Sequence, residues 1–317
     1  MESKEYWRER EEKWQKQQIK DDKERQKEIN KRLQYAKDQL QKEINSQWEN
    51  FSKGEKITIS EARKRANKMD VEAFARTAKK YVEERNFSKE ANRQLKLYNL
   101  TMRVNRLELL RSTVGLVLVD SFDDLQEYVT NELKTAARLE LLRQAGILGL
   151  SVPDLPIDKM IKQVLDSSFR VADFPTFSES LWQYQAELKA DLDKLLVKTI
   201  TQGKNPKEVA KELDKLLTVE GRENAKFNVQ RLMITETTRV QTGIQELTYE
   251  RAGIDEYEYI AEPSACDKCL ELDGQIFKVS DMQPGENAPN MHPFCRCSTV
   301  AYMDREKLEA GLKERGL

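Results

Sequence analysis

Proline is absent from the chain before Pro153, only 12 of the 317 residues are glycine, and histidine occurs once. The first absence removes the residue that most reliably ends a helix, because proline lacks a backbone donor and clashes with the preceding turn. The scarcity of glycine leaves few places where the backbone turns at positive φ without strain. Long apolar runs are missing as well: the longest near-continuous one, Val114–Val119, falls far below the roughly 20 residues a membrane span needs. Net charge is −1, a balance that by itself points to no partner. No secretory leader pattern stands at the start, so the sequence predicts a soluble protein made in the cytoplasm.

Charge and helix formers fill the space these absences leave. Charged residues make up 34% of the chain, and lysine, arginine, glutamate and glutamine dominate its first half, a composition that favours long helices. Ile29, Leu33, Ala36, Leu40, Ile44, Trp48 and Phe51 recur every three or four residues, which predicts one buried stripe on a helix over 5–52, with Trp7 and Trp14 at its beginning. Such a helix is not stable alone and needs a surface to cover its apolar edge. Phe51–Gly54 reads as a break, and Ser60, Asp70 and Ser88 read as N-caps of helices running to about 111. Helical patterning continues from Phe122 to Gly146. Pro153 and Pro156 mark one boundary and Asp173–Phe177 a second. Asn205-Pro206 is a cap followed by proline at the first helical position, with Val209, Leu213 and Leu216 on one face; a last helix runs from about Asn224 to Ala252 and stops at Gly253.

The charges are unevenly spread: +2 over 1–59, +7 over 60–111 and −10 over 112–317. Residues 60–111 are the one stretch able to meet phosphates by charge alone; the plainer reading is a solvated helix face. Near the other end, Glu236 and Arg239 stand one helical turn apart, the spacing of an intrahelical ion pair. A catalytic glutamate has no support there, since no second carboxylate or histidine is placed beside it.

All four cysteines and the single histidine fall within 32 residues: Cys266-Asp-Lys-Cys269, then, after 22 residues, His292-Pro-Phe-Cys295-Arg-Cys297. Thiolates and imidazole are the donors zinc prefers, and two close pairs at the ends of a loop make a tetrahedral clip. In an extended segment Cys295 and Cys297 face one side, leaving Arg296 between two thiolates, where its charge can offset theirs. Cys266, Cys269, His292, Cys295 and Cys297 are five candidates for about four positions on one structural zinc ion, and spacing does not choose the odd one among His292, Cys295 and Cys297. Leu270–Val279 reads as a hairpin turning at Asp273-Gly274, flanked by strand-like Glu256–Ile260 and Ser298–Tyr302. So little apolar surface does not hold such a sheet unaided, so the metal is expected to pin it. The alternatives are a redox pair at Cys266 and Cys269, against which stands the lack of a surrounding βαβ pattern, and a disulfide framework, against which stands the lack of a leader.

The series Phe177–Trp182, Gly203-Lys-Asn-Pro206, Thr235-Glu236, Ala261–Cys269, Leu272-Asp-Gly274 and His292–Cys297 resembles the phage Mu F-like minor head proteins, also called phage head morphogenesis proteins. The resemblance covers roughly 177–303. It implies a virion component of the capsid interior near the portal, made in a bacterial host cytoplasm and acting in head assembly and in DNA packaging or delivery. The implied partners are the portal protein, other head proteins and packaged double-stranded DNA; for the last, the charge of residues 60–111 predicts weak binding there without sequence preference. The expected class is mainly α: a long-helix N-terminal body with a C-terminal α+β module ending in a small zinc-pinned β unit. The expected organisation is an amphipathic arm over 1–59, a helical body with the basic segment over 60–152, a linker over 153–176, the Mu F-like domain over 177–304 and a helical tail over 305–317.

Two other classes compete with a non-catalytic assembly protein. A zinc enzyme acting on nucleic acid, such as a deaminase, needs histidine or cysteine followed two residues later by glutamate, upstream of a Pro-Cys-x-x-Cys pair; here Ala265 precedes Cys266 and the histidine follows the pair. A catalytic zinc also keeps an open position, which five donors suffice to close. A zinc-finger reader of DNA places a basic helix beside its metal, whereas the basic surplus here lies far upstream.

Overall fold

A computed structural model describes residues 3–51, 76, 77, 79, 80, 83, 88, 106–168, 177–202, 206–218 and 224–303. The described chain is mainly helical: α1 (Ser3–Phe51), α2 (Arg106–Leu148), α3 (Ile157–Ser168), α4 (Phe177–Gln202), α5 (Pro206–Leu217), α6 (Ala225–Ala252) and a one-turn α7 (Asp267–Leu270). Three short strands, β1 (Glu256–Ile260), β2 (Ile276–Lys278) and β3 (Ser298–Tyr302), form one antiparallel sheet in the order β2-β1-β3. Among the described residues no helix is long and apolar enough to cross a membrane. Most of the basic segment 60–111, and with it the expected DNA contact, lies outside the described residues; Arg111 at its end pairs with Asp193 at 3.0 Å.

The helix ends follow their local chemistry. Asn224 accepts a hydrogen bond from the Phe227 amide at 2.9 Å, capping α6. Its far end closes at Gly253, where φ of +68° lets the Ile254 amide bond back to the Tyr249 carbonyl at 2.9 Å. Within the stretch between the two proline boundaries, α3 adds a helix of 12 residues directly after Pro156.

The chain divides into two compact units. One consists of Gln26–Tyr128 and Ser178–Gln230. Here the expected stripe of α1 is buried: Ile29, Leu33, Ala36, Leu40 and Ile44 are at most 1% exposed. Trp48 and Phe51 of that stripe lie outside the described side chains. The apolar run of the sequence sits in α2, where every residue from Ser112 to Phe122 is buried, as expected of a helix apolar on all sides. Gln126 on α2 accepts hydrogen bonds from the Trp182 indole (2.9 Å) and the Ser178 hydroxyl (2.6 Å) of α4. On α5 the buried row is Val209, Leu213 and Leu217, while Leu216 is only half covered; a step of four from Leu213 keeps the row on one face, and the step of three to Leu216 turns slightly off it.

The other unit consists of Met1–Arg25, Val129–Phe177 and Arg231–Leu317 and carries the sheet. Tyr249, Ile254, Tyr257, Val279, Met282 and Ala288 form one apolar cluster, and a second surrounds the cysteines. Gly243 on α6 faces Val164 of α3 with so little room that a Cβ there would lie 2.9 Å from Val164 Cγ1. The expected hairpin over Leu270–Val279 does not form. Leu270 ends α7, β2 pairs instead with β1, and the turn at Asp273-Gly274 links α7 to β2. The reason lies in Asp273: its carboxylate accepts the Ala261 amide at 2.9 Å and the Arg8 guanidinium at 3.0 and 3.2 Å, so it ties the turn to the end of β1.

Candidate metal centre

The first half of the cluster is a knuckle. The Cys266 carbonyl accepts the amides of Cys269 (2.9 Å) and Leu270 (3.0 Å), which curls the chain into α7 and turns both sulfurs the same way. The second half is a tight loop in which the Cys295 amide donates to the His292 carbonyl at 3.1 Å. Phe294 pays for that tightness with φ of +67°, an unusual conformation for a bulky residue. β3 begins directly after Cys297 and pairs with β1, so the sheet fixes both halves against Tyr259.

The five donors meet in two overlapping triplets, Cys266-Cys269-His292 and Cys269-Cys295-Cys297, within each of which the ligand atoms lie within 4.8 Å of one another. His292 Nε2 stands 3.2 Å from Cys266 Sγ and 3.3 Å from Cys269 Sγ. Cys269 belongs to both triplets and is fully buried; Cys295 and Cys297 are buried, and Cys266 is exposed. All four cysteines are free thiols, so the disulfide alternative has no counterpart. The donor set, four thiols and an imidazole with no carboxylate, fits a soft or borderline divalent cation such as zinc and suits calcium or magnesium poorly.

The electrostatics reflect crowding. Burial pushes the Cys269 thiol up to about 11. The Cys297 thiol donates to the Cys295 sulfur, which holds Cys295 down and drives Cys297 up. Tyr259, fully buried among these sulfurs, has its phenol pushed far above the ordinary range, first by burial and then by the charge of Cys295 and Cys297.

One face of α6 carries the second loop. Thr238 Oγ1 donates to the Cys295 carbonyl at 2.7 Å, the Phe294 amide donates to Thr235 Oγ1, and Arg296 reaches the Ile234 carbonyl at 3.1 Å and Thr238 Oγ1 at 2.9 Å. Alternation along the segment that leads into β3 aims Cys295 and Cys297 inward, as the spacing implied, and sends Arg296 the other way, where it pairs with Asp22. Glu236 lies outside both triplets. It pairs with Arg239 at 3.3 Å, as its spacing suggested, but Glu236 is buried and Arg239 largely covered, and burial raises Glu236 to about 7 against the opposing pull of Arg239.

Residues 190–300 match the family model described as phage Mu protein F like protein. Over this segment the chain is similar to the phage Mu F-like proteins. The Mu F-like match begins within α4 and ends in β3, so it takes in α5, α6 and all five donors. No curated protein and no solved structure matches the chain.

The candidate donors are plain in the sequence, and their supports are not. Tyr259 and Met291 line the cluster, Thr235 and Thr238 hold its loop, and Asp273 ties the knuckle's exit to β1. Two threonines one turn apart on a helix gave no hydrophobic signal, because their role is to donate and accept across to a loop distant in sequence.

Proposed function

We propose that this protein is a minor head component of a phage or prophage, acting in head morphogenesis through contacts with the portal and other head proteins, with a structural rather than catalytic metal centre. The reading rests on the Mu F-like segment together with one observation: the candidate donors fall into two triplets that share Cys269, in loops held by main-chain and threonine hydrogen bonds. One zinc ion is the occupant the donors fit. Cys266 and Cys269 with two of His292, Cys295 and Cys297 would fill a tetrahedral shell and leave no open position for substrate. Zinc would supply positive charge that lets crowded thiols ionise together, and it would pin a three-stranded sheet too small to be stable alone. In this reading the protein resides in the virion, and packaging or delivery of DNA is the step it serves.

The test is recovery of the protein from assembled proheads made with and without portal, with metal analysis of the same material. Association that depends on portal, with about one zinc per chain, supports the proposal. Equal recovery without portal argues against portal contact, and metal-dependent turnover of DNA or nucleotides argues against a structural centre.

A further inference from the structure

In the unit that carries the sheet, the stripe α1 buries is polar. Glu11, Gln15, Gln18, Asp22 and Arg25 follow one another at helical spacing and are each at most 7% exposed. Every one has a polar counterpart in that unit. Glu11 pairs with Arg143 and accepts from the Ser298 hydroxyl (2.9 Å); Gln15 donates to the Ile260 carbonyl (3.2 Å); Gln18 accepts from Gln241 (2.8 Å). Asp22 pairs with Arg296, and Arg25 with Glu132 at 3.1 Å. One turn earlier, Arg8 reaches Asp273 and Glu258. The apolar residues of this part of the helix, Trp7, Trp14 and Ile19, are only partly covered. The same stripe continues through Ile29, Leu33, Ala36, Leu40 and Ile44, all apolar.

The two chemistries hold a helix differently. Burying an apolar side chain is a clear net gain. A hydrogen bond exchanged for one with water nets less, and a buried ion pair roughly breaks even once desolvation is counted. Gln15 Oε1 is buried without a partner, which lowers the sum further.

We propose that residues 3–25 of α1 form a strap that leaves the surface of this unit as one piece while the rest of the unit stays folded. Its departure uncovers a polar groove containing Glu132, Glu140, Arg143, Gln245 and Arg296, and frees the loop between Cys295 and Cys297 from Asp22. The strap is specific because each polar group must meet its counterpart, and releasable because water substitutes for those counterparts. The inference stands on this unit's packing and does not depend on the role proposed above.

Hydrogen–deuterium exchange of the full chain tests it, with the α2 amides of residues 129–145 as reference. Amides of residues 8–22 are expected to exchange at least about tenfold faster than the reference, in one concerted opening. The paired substitution Gln18→Leu with Gln241→Leu replaces a polar contact by an apolar one and is expected to slow exchange at 8–22 severalfold with the reference unchanged. Equal protection of the two segments in the parent overturns the proposal, as does an unchanged rate at 8–22 in a variant whose reference amides remain protected. Should the variant lose protection at 129–145, the parent's ratio alone decides.

Discussion

Arg296 turns its back on the two cysteines that flank it and pairs with Asp22 on α1. Both side chains are at least nine-tenths buried, and Arg25 lies against the same carboxylate at 3.2 Å. Removing Asp22 therefore leaves the buried Arg296 guanidinium without its carboxylate, while Arg25 keeps Glu132. Asp22→Ala is expected to destabilise by about 3–5 kcal/mol, the usual cost of stranding a buried charge. Arg296→Met keeps the volume and leaves Asp22 with Arg25, so it is expected to cost less. Urea denaturation of the two variants checks the order, and an equal or reversed order contradicts the assigned geometry.

Metal removal follows from the sharing of Cys269 between the triplets. Structural zinc contributes on the order of 10 kcal/mol in small zinc-folded units, as much as a whole domain's typical stability. Chelation is expected to unfold the sheet, seen as loss of the near-ultraviolet signal of Tyr257 and Tyr259, while the helices of Gln26–Tyr128 and Ser178–Gln230 keep their far-ultraviolet signal. Cys269→Ser is expected to abolish stoichiometric zinc, and Cys266→Ser, at the exposed corner, to weaken it less. Elemental analysis showing no zinc in the reduced parent protein would remove the basis of both expectations.

Particular residues show what the sequence could and could not disclose. The helix from Ser3 to Phe51, the helix start near Asn224, the stop at Gly253 and the strands around the cysteines were legible, because each depends on neighbours a few residues away. The five candidate donors were legible because every cysteine and the only histidine of the chain fall within 32 residues. The hairpin at Asp273-Gly274 was misread because the turn signal is local whereas the choice of pairing partner is not: Asp273 bonds to Ala261 and Arg8. The polar stripe from Glu11 to Arg25 continues the spacing of the apolar one, yet a period search weighted by hydrophobicity passes over it. Only the partners across the fold show that these residues are buried.

The buried glutamate of α6 gives a pH dependence. An unfolded chain titrates Glu236 near its ordinary value of 4.5, and the folded protein near 7. The fold thus holds this proton more tightly than the unfolded chain. The associated stability is complete below about pH 4.5, declines as pH rises and is lost above about 7, a swing on the order of 3 kcal/mol. Glu236→Gln removes the titration, so its stability is expected to change less than the parent's between pH 5 and pH 8. Parallel pH profiles for the two proteins would show that Glu236 is ionised throughout.

Gly243 supplies a packing test in the same helix. Alanine gains about 1 kcal/mol over glycine in a helix interior, but here its Cβ would press to 2.9 Å on Val164 Cγ1. Valine is stiff at its first torsion and does not swing aside cheaply, and overpacking of this kind costs about 1–3 kcal/mol. Gly243→Ala is therefore expected to be neutral to destabilising by up to about 2 kcal/mol, the difference between those two effects. In a Val164→Ala background the clash is gone, and the same substitution is expected to stabilise by about 1 kcal/mol. A double-mutant cycle read by thermal unfolding isolates that change of sign, which belongs to the contact between α3 and α6. An identical effect in both backgrounds would mean that Val164 does not press on this turn.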